Sequence, residues 1–301
     1  MENKGLTLSI IFEAESANYG EGFGNISSLK KMSRGDGYSY SYISRQALRY
    51  NIIEQLRWNN TPVSDADKVV QFKIDASIDK YPEIDLFGYM KTGKNSPNGS
   101  SNTRVATVRL SNAIALENYN SDLDFLTNMA LAKRDNLDNA IAQSEIHKSY
   151  YAYTITIDLD RVGIDEVITE YLKGKEPKKE IIKIEKSERA KRVNDLLKIL
   201  KTLYRDIRGR RENLTPIFII GGVYNIKNPF FENRLKVEKN KLIIETIKDT
   251  LKMDEEISKN TICGLVDSIF SNTEEIKKEL NPKSVAEVIE ELCKKVDKYY
   301  A

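Results

Sequence analysis

Apolar residues fall along this chain in two rhythms. Unbroken or alternating apolar runs predict strands at residues 6–14 (LTLSIIFEA), 150–158 (YYAYTITID) and 217–220 (IFII). The last ends at Gly221-Gly222, where a bare backbone can approach a ligand closely. Leu48, Ile52, Ile53 and Leu56 recur at helical spacing behind Ser44, a good N-cap, so a helix is predicted over 45–56. Val193, Leu196, Leu197, Leu200, Leu203 and Tyr204 predict a longer basic helix over 187–207, running into Arg208-Gly-Arg210-Arg211. Weaker patterns predict strands at 69–75 and 85–90 and a helix over 121–143. A protruding hairpin, 167–172 with 181–184, has Gly174 and Pro177 at its tip. Past residue 241 the pattern is helical, with amphipathic stretches at 241–251 and 284–299 and no visible chemistry.

The strong elements run strand, helix, strand, strand, helix, strand. This is the α+β, ferredoxin-like or RNA-recognition-motif order, elaborated by an insertion before the third strand and a hairpin after it. At 301 residues, 40% hydrophobic and 31% charged, the chain has the size for one elaborated domain with a substantial core. No segment is apolar and long enough to span a bilayer, no signal peptide is expected before residue 5, and a membrane role is not expected. Cys263 and Cys293 lack partners at metal-ligand spacing, which points to a reducing cytoplasm and away from structural zinc. His147 is the only histidine and reads as structural.

Net charge is +2, but residues 171–211 carry 15 Lys or Arg against 6 Asp or Glu, so the rest of the chain is acidic. That segregation suits a polyanion. Arg45 and Arg49 sit in the first turns of a predicted helix, where the macrodipole disfavours cations unless an anion binds between them. Ser44, Gln46 and the unpaired amides of the first turn complete a phosphate grip. The preceding residues 20–41 are rich in Gly, Ser and Tyr and read as a long loop. Lys30, Lys31 and Arg34 are interleaved there with Tyr19, Phe23, Tyr38, Tyr40 and Tyr42. Cations for phosphates and rings for bases fit single-stranded nucleic acid. Asp36 is the one carboxylate beside the cations Lys30, Lys31 and Arg34, weak grounds for metal-dependent cleavage. Gly88 to Lys94 nearly completes a P-loop, but Asn95 stands where a Ser or Thr is needed, and the match is coincidental. Tyr151 and Tyr153 share a strand face, without the surrounding pattern that would make them base-stacking residues, and read as packing.

The order FEAESANYGEGFGN, SLKK and YISRQALRY, followed by DLFGYM, SNAIAL, SYYAYTITIDLDRVG and IFIIGGVY, resembles the CRISPR-associated Cas-seven family in its type I-B branch, historically called DevR. The motifs span residues 5–231, with Ser-x-Gln-x-x-basic at Ser44, Gln46 and Arg49. The resemblance implies a backbone subunit of Cascade that polymerises head to tail along CRISPR RNA, beside other Cascade subunits, and presents the guide to target DNA. It implies a palm at about 5–60, 150–162 and 186–231, an insertion at 61–149, a thumb at 163–185 and a helical region at 232–301 that matches no motif. No catalytic residue, metal or cofactor is expected. Type III relatives cleave RNA with an aspartate after the first strand, for which Asp36 is the nearest counterpart. A guide-directed ribonuclease and a nucleic-acid-binding regulator are therefore the alternatives. The candidate RNA contacts are Asn18, Lys30, Lys31, Ser44, Arg45, Gln46, Arg49, Lys173, Lys175, Lys178, Lys179, Arg208, Arg210, Arg211, Gly221 and Gly222.

Overall fold

The computed structural model describes residues 4–66, 69–92, 101–120, 122–170 and 176–301. Lys173, Lys175 and the Gly93-Lys94 pair of the near P-loop lie outside them. The main sheet holds β1 (Gly5–Ala14), β2 (Lys31–Ser33), β3 (Ser39–Ile43), β4 (Val108–Leu110), β5 (Ala113–Ala115), β6 (Ser149–Asp158), β7 (Phe218–Tyr224) and β8 (Thr261–Leu265). Their order is β8-β7-β1-β6-β5-β3-β2, with β4 also on β6, and every pairing is antiparallel. In register, Ile10 stands between Tyr153 and Ile219.

Strand alternation sends Leu6, Leu8, Ile10 and Phe12 to one face, with Tyr151, Tyr153, Ile155 and Ile157 beside them. Three helices cover that face: α1 (Arg45–Leu56), α2 (Lys186–Leu200) and α3 (Val285–Tyr300). Their buried stripes, Leu48 and Ile52, Val193 to Leu200, and Val288 to Val296, form one core with the sheet. The opposite face is covered at Ile11, Phe218 and Ile220 by Phe231, Leu235, Val237, Ile247 and Ile276 from the C-terminal region. Over β5 and β6 the same face is lined by Ile114, Ala152 and Thr154 and opens into a cleft.

Five predicted segments fold otherwise. Residues 20–41 are not a continuous loop, because β2 and β3 pair as a hairpin on the sheet edge. Of residues 85–90, 85–87 end a helix, Pro82–Phe87, broken by Gly88 at φ 74, where a Cβ would meet Arg104 O at 2.5 Å, and the predicted strand begins only at Tyr89. The stretch 121–143 forms two antiparallel strands, Asp122–Thr127 and Ile141–Ile146, about a one-turn helix. The helix of 187–207 stops at Leu200; Tyr204–Ile207 pairs with Arg210–Asn213 about Arg208-Gly209, both at positive φ, as a two-residue hairpin turn demands. In the tail expected to be helical, β8 joins the sheet edge. The protruding hairpin is present as Ile164–Glu170 against Lys178–Lys183.

A charged cluster buried under α2 joins the insertion to this hairpin. Asp85 accepts from Arg104 Nη2 at 2.6 Å, Arg192 Nη1 at 2.9 Å and the Gly163 amide at 2.8 Å. Arg104 reaches on to Asp165, which also accepts from the Tyr89 hydroxyl. Removing one partner strands the others without water, so Asp85→Asn and Arg192→Leu are each expected to cost about 3–5 kcal/mol. Lys191→Ala, which breaks an exposed pair with Asp195 on the same helix, is expected to stay within about 0.5 kcal/mol. Urea unfolding of the three variants tests this, and equal losses at Lys191 and Arg192 would refute the ranking.

Candidate nucleic-acid interface

Ser44 caps α1: its Oγ accepts the Ala47 amide at 3.3 Å. Asn18, four residues beyond β1, locks that cap by accepting the Ser44 amide and donating to its hydroxyl, both at 3.3 Å. The Arg45 amide is taken by Asn112 Oδ1 at 2.9 Å and the Leu48 amide by Ser44 O. Of the amides expected to grip phosphate, Gln46 N alone has no acceptor among the described residues. Grip at this helix start therefore falls to side chains. Arg45 and Gln46 are exposed, but Arg49 turns away, lying over the Phe87 ring at 5.0 Å with Glu83 at 3.7 Å. Burial holds the Arg49 guanidinium below its ordinary pKa, partly opposed by Glu83. The two arginines thus face different neighbours rather than one anion.

Beside the cap stands the hairpin Tyr204–Ile207/Arg210–Asn213. Its base is fixed by Glu212, which accepts the Glu15 and Ser16 amides and pairs with buried Arg205. Its tip lays Arg208 over the Tyr19 ring at 4.3 Å. Arg210 pairs with Glu15, and Arg211 makes a bidentate pair with Asp206 at 2.8 and 2.9 Å. Lys30 is exposed and near Gly20, whereas Lys31 is held by Glu145 at 2.8 Å and lies over Tyr119. Asn18, Tyr19, Lys30, Ser44, Gln46 and Arg208 therefore form one corner. On the distant hairpin, Lys178 is exposed and Lys179 pairs with Glu166 at 2.6 Å. Gly221 and Gly222 do not face a ligand. A Cβ would meet Thr7 O at 2.0 Å from Gly221 and Asn260 O at 2.1 Å from Gly222, so the close approach they permit is that of the chain's own backbone.

From Arg45 the surface runs into the open cleft, about 1180 Å³, walled by the β2–β3 hairpin and the loop after Phe231. Asn112, Lys148 and Lys236 line it, none of them anticipated from sequence. Asn112 lies in SNAIAL, and only its distant contact with the helix start reveals its place. Asp36 is at the rim, accepting the Tyr40 hydroxyl at 2.6 Å and the Tyr38 amide at 3.0 Å. These bonds, the tyrosine's first, hold its carboxyl below the usual range. His147 is buried there, its Nδ1 bonded to Ser41 Oγ at 2.7 Å, and Ser41 bonds Tyr151 in turn.

The family described as CRISPR-associated negative auto-regulator DevR/Csa2 matches residues 6–242. The chain belongs to this family. Among solved chains of the same fold, one titled "CRISPR RNA-guided surveillance complex, pre-nicking" superposes with a TM-score of 0.57 at 10% identity, covering 97% of this chain and 100% of that one. Another, titled "CRISPR RNA-guided surveillance complex", gives 0.53 at 11%, covering 95% and 99%. At such identities the likeness establishes a shared mixed α/β fold. No curated protein matches the chain. The segments that make the corner and the cleft, up to the loop at 231–239, fall within the residues that define this DevR/Csa2 member.

Burial also gives the site's histidine a pH signature. Desolvation lowers the His147 pKa, opposed by a bond to Asn118 and by Glu117 and Asp122. Above the ordinary histidine range neither state takes up the proton, and the group contributes no pH dependence. As pH falls from about 6.5 the unfolded chain protonates first, so stability should drop by at most about 1.4 kcal/mol per unit. Urea unfolding between about pH 5.5 and 7.5 is expected to show a smaller slope for His147→Gln than for the parent chain. Parallel slopes would show that the histidine takes up its proton as readily in the folded state as in the unfolded one.

Proposed function

We propose that this chain is the CRISPR RNA-binding backbone subunit of a type I-B Cascade complex, polymerising along the guide and presenting it to target DNA. The family match carries this reading, since it spans both the cap corner and the sheet that positions it. The order β7-β1-β6-β5, all antiparallel, with α1 and α2 on one face, supports an RNA-recognition-motif-like palm. In this reading residues 61–149 are the insertion, 163–185 the thumb and 232–301 the C-terminal region. The tail then backs the sheet, since Phe231, Leu235 and Ile247 cover Phe218 and Ile220. Phosphates are held by Arg45, Gln46, Lys30 and Arg208, groups that position a strand without reading its bases. Sequence is left to pairing by the guide.

A non-cleaving role is supported by Asp36, whose two carboxylate oxygens close its own turn and hold Tyr40. Among the described residues no helix is long and apolar enough to cross a membrane, and the proposed setting is the cytoplasm. Purification of the chain with its Cascade neighbours should yield RNA of uniform length. Metal-dependent cuts in RNA complementary to that guide, abolished by Asp36→Ala, would establish the ribonuclease instead. Preference for duplex DNA over single strands would favour the regulator that the family's description names.

Arg45 gives the direct test of the grip. Arg45→Ala is expected to weaken binding of a short single-stranded RNA roughly 10- to 150-fold through lost charge-assisted bonds. It should also flatten the log-affinity against log-salt slope by about 0.7 per lost phosphate. Thermal unfolding without RNA should not change, because the residue is exposed. An unchanged affinity and salt slope would remove Arg45 from the interface.

A further inference from the structure

The cleft beside Arg45 is not the uniformly basic groove that suits a phosphate backbone. Its lining carries as many carboxylates as cations, together with the side-chain amides of Asn112, Asn118, Asn120 and Asn233. Carboxylates repel phosphates, and when ionised they accept hydrogen bonds without donating any. Each one in the wall of a strand-binding cleft therefore needs a donor, from the protein, from water or from the strand.

Most of these carboxylates are provided for. Asp36 is held by the Tyr40 hydroxyl and the Tyr38 amide, and Glu117 accepts the Ser149 hydroxyl at 3.0 Å. Asp122 and Glu238 are exposed to water. Glu232 is different. It is half-buried in the turn just after Phe231, and its carboxylate has no hydrogen bond or ion pair among the described residues. Burial pushes that carboxyl above its ordinary pKa, with no neighbouring cation to oppose the push. Its mount is firm, because Phe231 is buried against the sheet and the Glu232 amide donates to Pro229 O at 2.9 Å.

A single strand offers two kinds of donor, the base amines and the ribose 2′-hydroxyl. Base amines come and go with sequence, and they cannot serve a chain that holds its strand without reading it. The 2′-hydroxyl is present at every nucleotide of RNA and at none of DNA. We infer that the Glu232 carboxylate accepts the 2′-hydroxyl of one nucleotide in the cleft and so selects RNA over DNA. This rests on the reading of the chain as an RNA-binding subunit and adds a residue that tells the two nucleic acids apart. Arg45 supplies affinity that either backbone would satisfy. Glu232, on the wall after Phe231, supplies discrimination, because towards DNA the same carboxylate is an uncompensated charge near phosphates.

The test compares one mixed-sequence single strand, made as RNA and as DNA, for binding to wild type, Glu232→Ala, Glu232→Gln and Arg45→Ala, with thermal unfolding of each chain alone. Wild type should prefer RNA roughly 10- to 150-fold, as one hydrogen bond to a charged group implies. Glu232→Ala should bind RNA more weakly and DNA more tightly, because the bond and the repulsion are lost together, and the ratio should fall close to one. Glu232→Gln keeps an acceptor oxygen and should retain part of the preference. Arg45→Ala should weaken both strands alike. Single 2′-deoxy substitutions walked along the RNA should find one position per bound chain that costs wild type affinity and costs Glu232→Ala nothing. Equal binding of RNA and DNA by wild type, or a ratio unchanged in Glu232→Ala, overturns the inference and leaves the RNA grip standing. So does dependence on the base rather than the sugar at that position, which would assign the carboxylate to a base edge. A Glu232→Ala chain that unfolds at lower temperature and loses both strands equally makes the residue structural and overturns it as well. Failure of wild type to bind any single strand rejects the RNA reading itself, and the inference with it.

Discussion

One buried carboxylate ties together four parts of this molecule that are well separated in sequence. Asp85 belongs to the insertion, Arg104 to the strand that returns from it, Gly163 to the entry of the protruding hairpin, and Arg192 to the helix beneath the sheet. Taking such charges out of water costs several kcal/mol per ion, and only near-complete hydrogen bonding recovers it. Arg192 makes further bonds to the Ile78 and Asp79 carbonyls and to Glu188, and Arg104 to the Asp85, Ile164 and Arg161 carbonyls. The arrangement fixes direction as much as stability. A hairpin whose first residues are clamped at Gly163 and Asp165 cannot swing without breaking the cluster, so its direction is set by the same ion that sets the insertion.

Glu212 repeats the device on a smaller scale. Its carboxylate takes the two amides just after β1 and is neutralised by Arg205. That leaves Arg208, at the tip of the same hairpin, over Tyr19 and close to the cap of α1. Two of the positive charges in residues 171–211 are thus spent inside the protein at Arg192 and Arg205. A third, Arg189, is fully buried, with its Nη2 bonded to the Asp160 carbonyl and its face on Tyr300. The basic excess of that segment is a structural requirement in part, and only what remains outside is open to a polyanion.

This explains which parts of the molecule could be read from sequence. β1, β6, β7 and α1 were legible because their apolar periods match their burial, with Leu6 to Phe12 and Leu48, Ile52 and Ile53 all inside. The cap at Ser44 was legible because its geometry is local. The strand pair within 122–146 was not, because Leu123, Phe125 and Leu126 are exposed and have no core to face, and burial is what lends a hydrophobic pattern its meaning. The hairpin ending at Arg210 was hidden because Leu203 and Tyr204 continue a helical stripe while the turn depends on φ at Arg208 and Gly209. Of the site, the residue types were visible. Their division was not, since the turning of Arg49 towards Phe87, the filling of space at Gly221 and the capture of Lys31 by Glu145 are all long-range contacts.

On the proposed reading, the cap also gives a reason for RNA binding that is modest per copy and gains from repetition. A helix start whose amides are taken by Ser44, Asn18 and Asn112, all but that of Gln46, cannot offer the dense cradle of N–H groups that holds a phosphate in a single tight site. What it offers is a rigid mount for a few flexible cations. Such contacts are screened by salt and weak alone, yet linking many of them along one strand turns each later contact into an intramolecular event. Rigidity in the mount keeps the spacing of those cations the same from one copy to the next, and a uniform spacing is what a long, evenly held single strand requires.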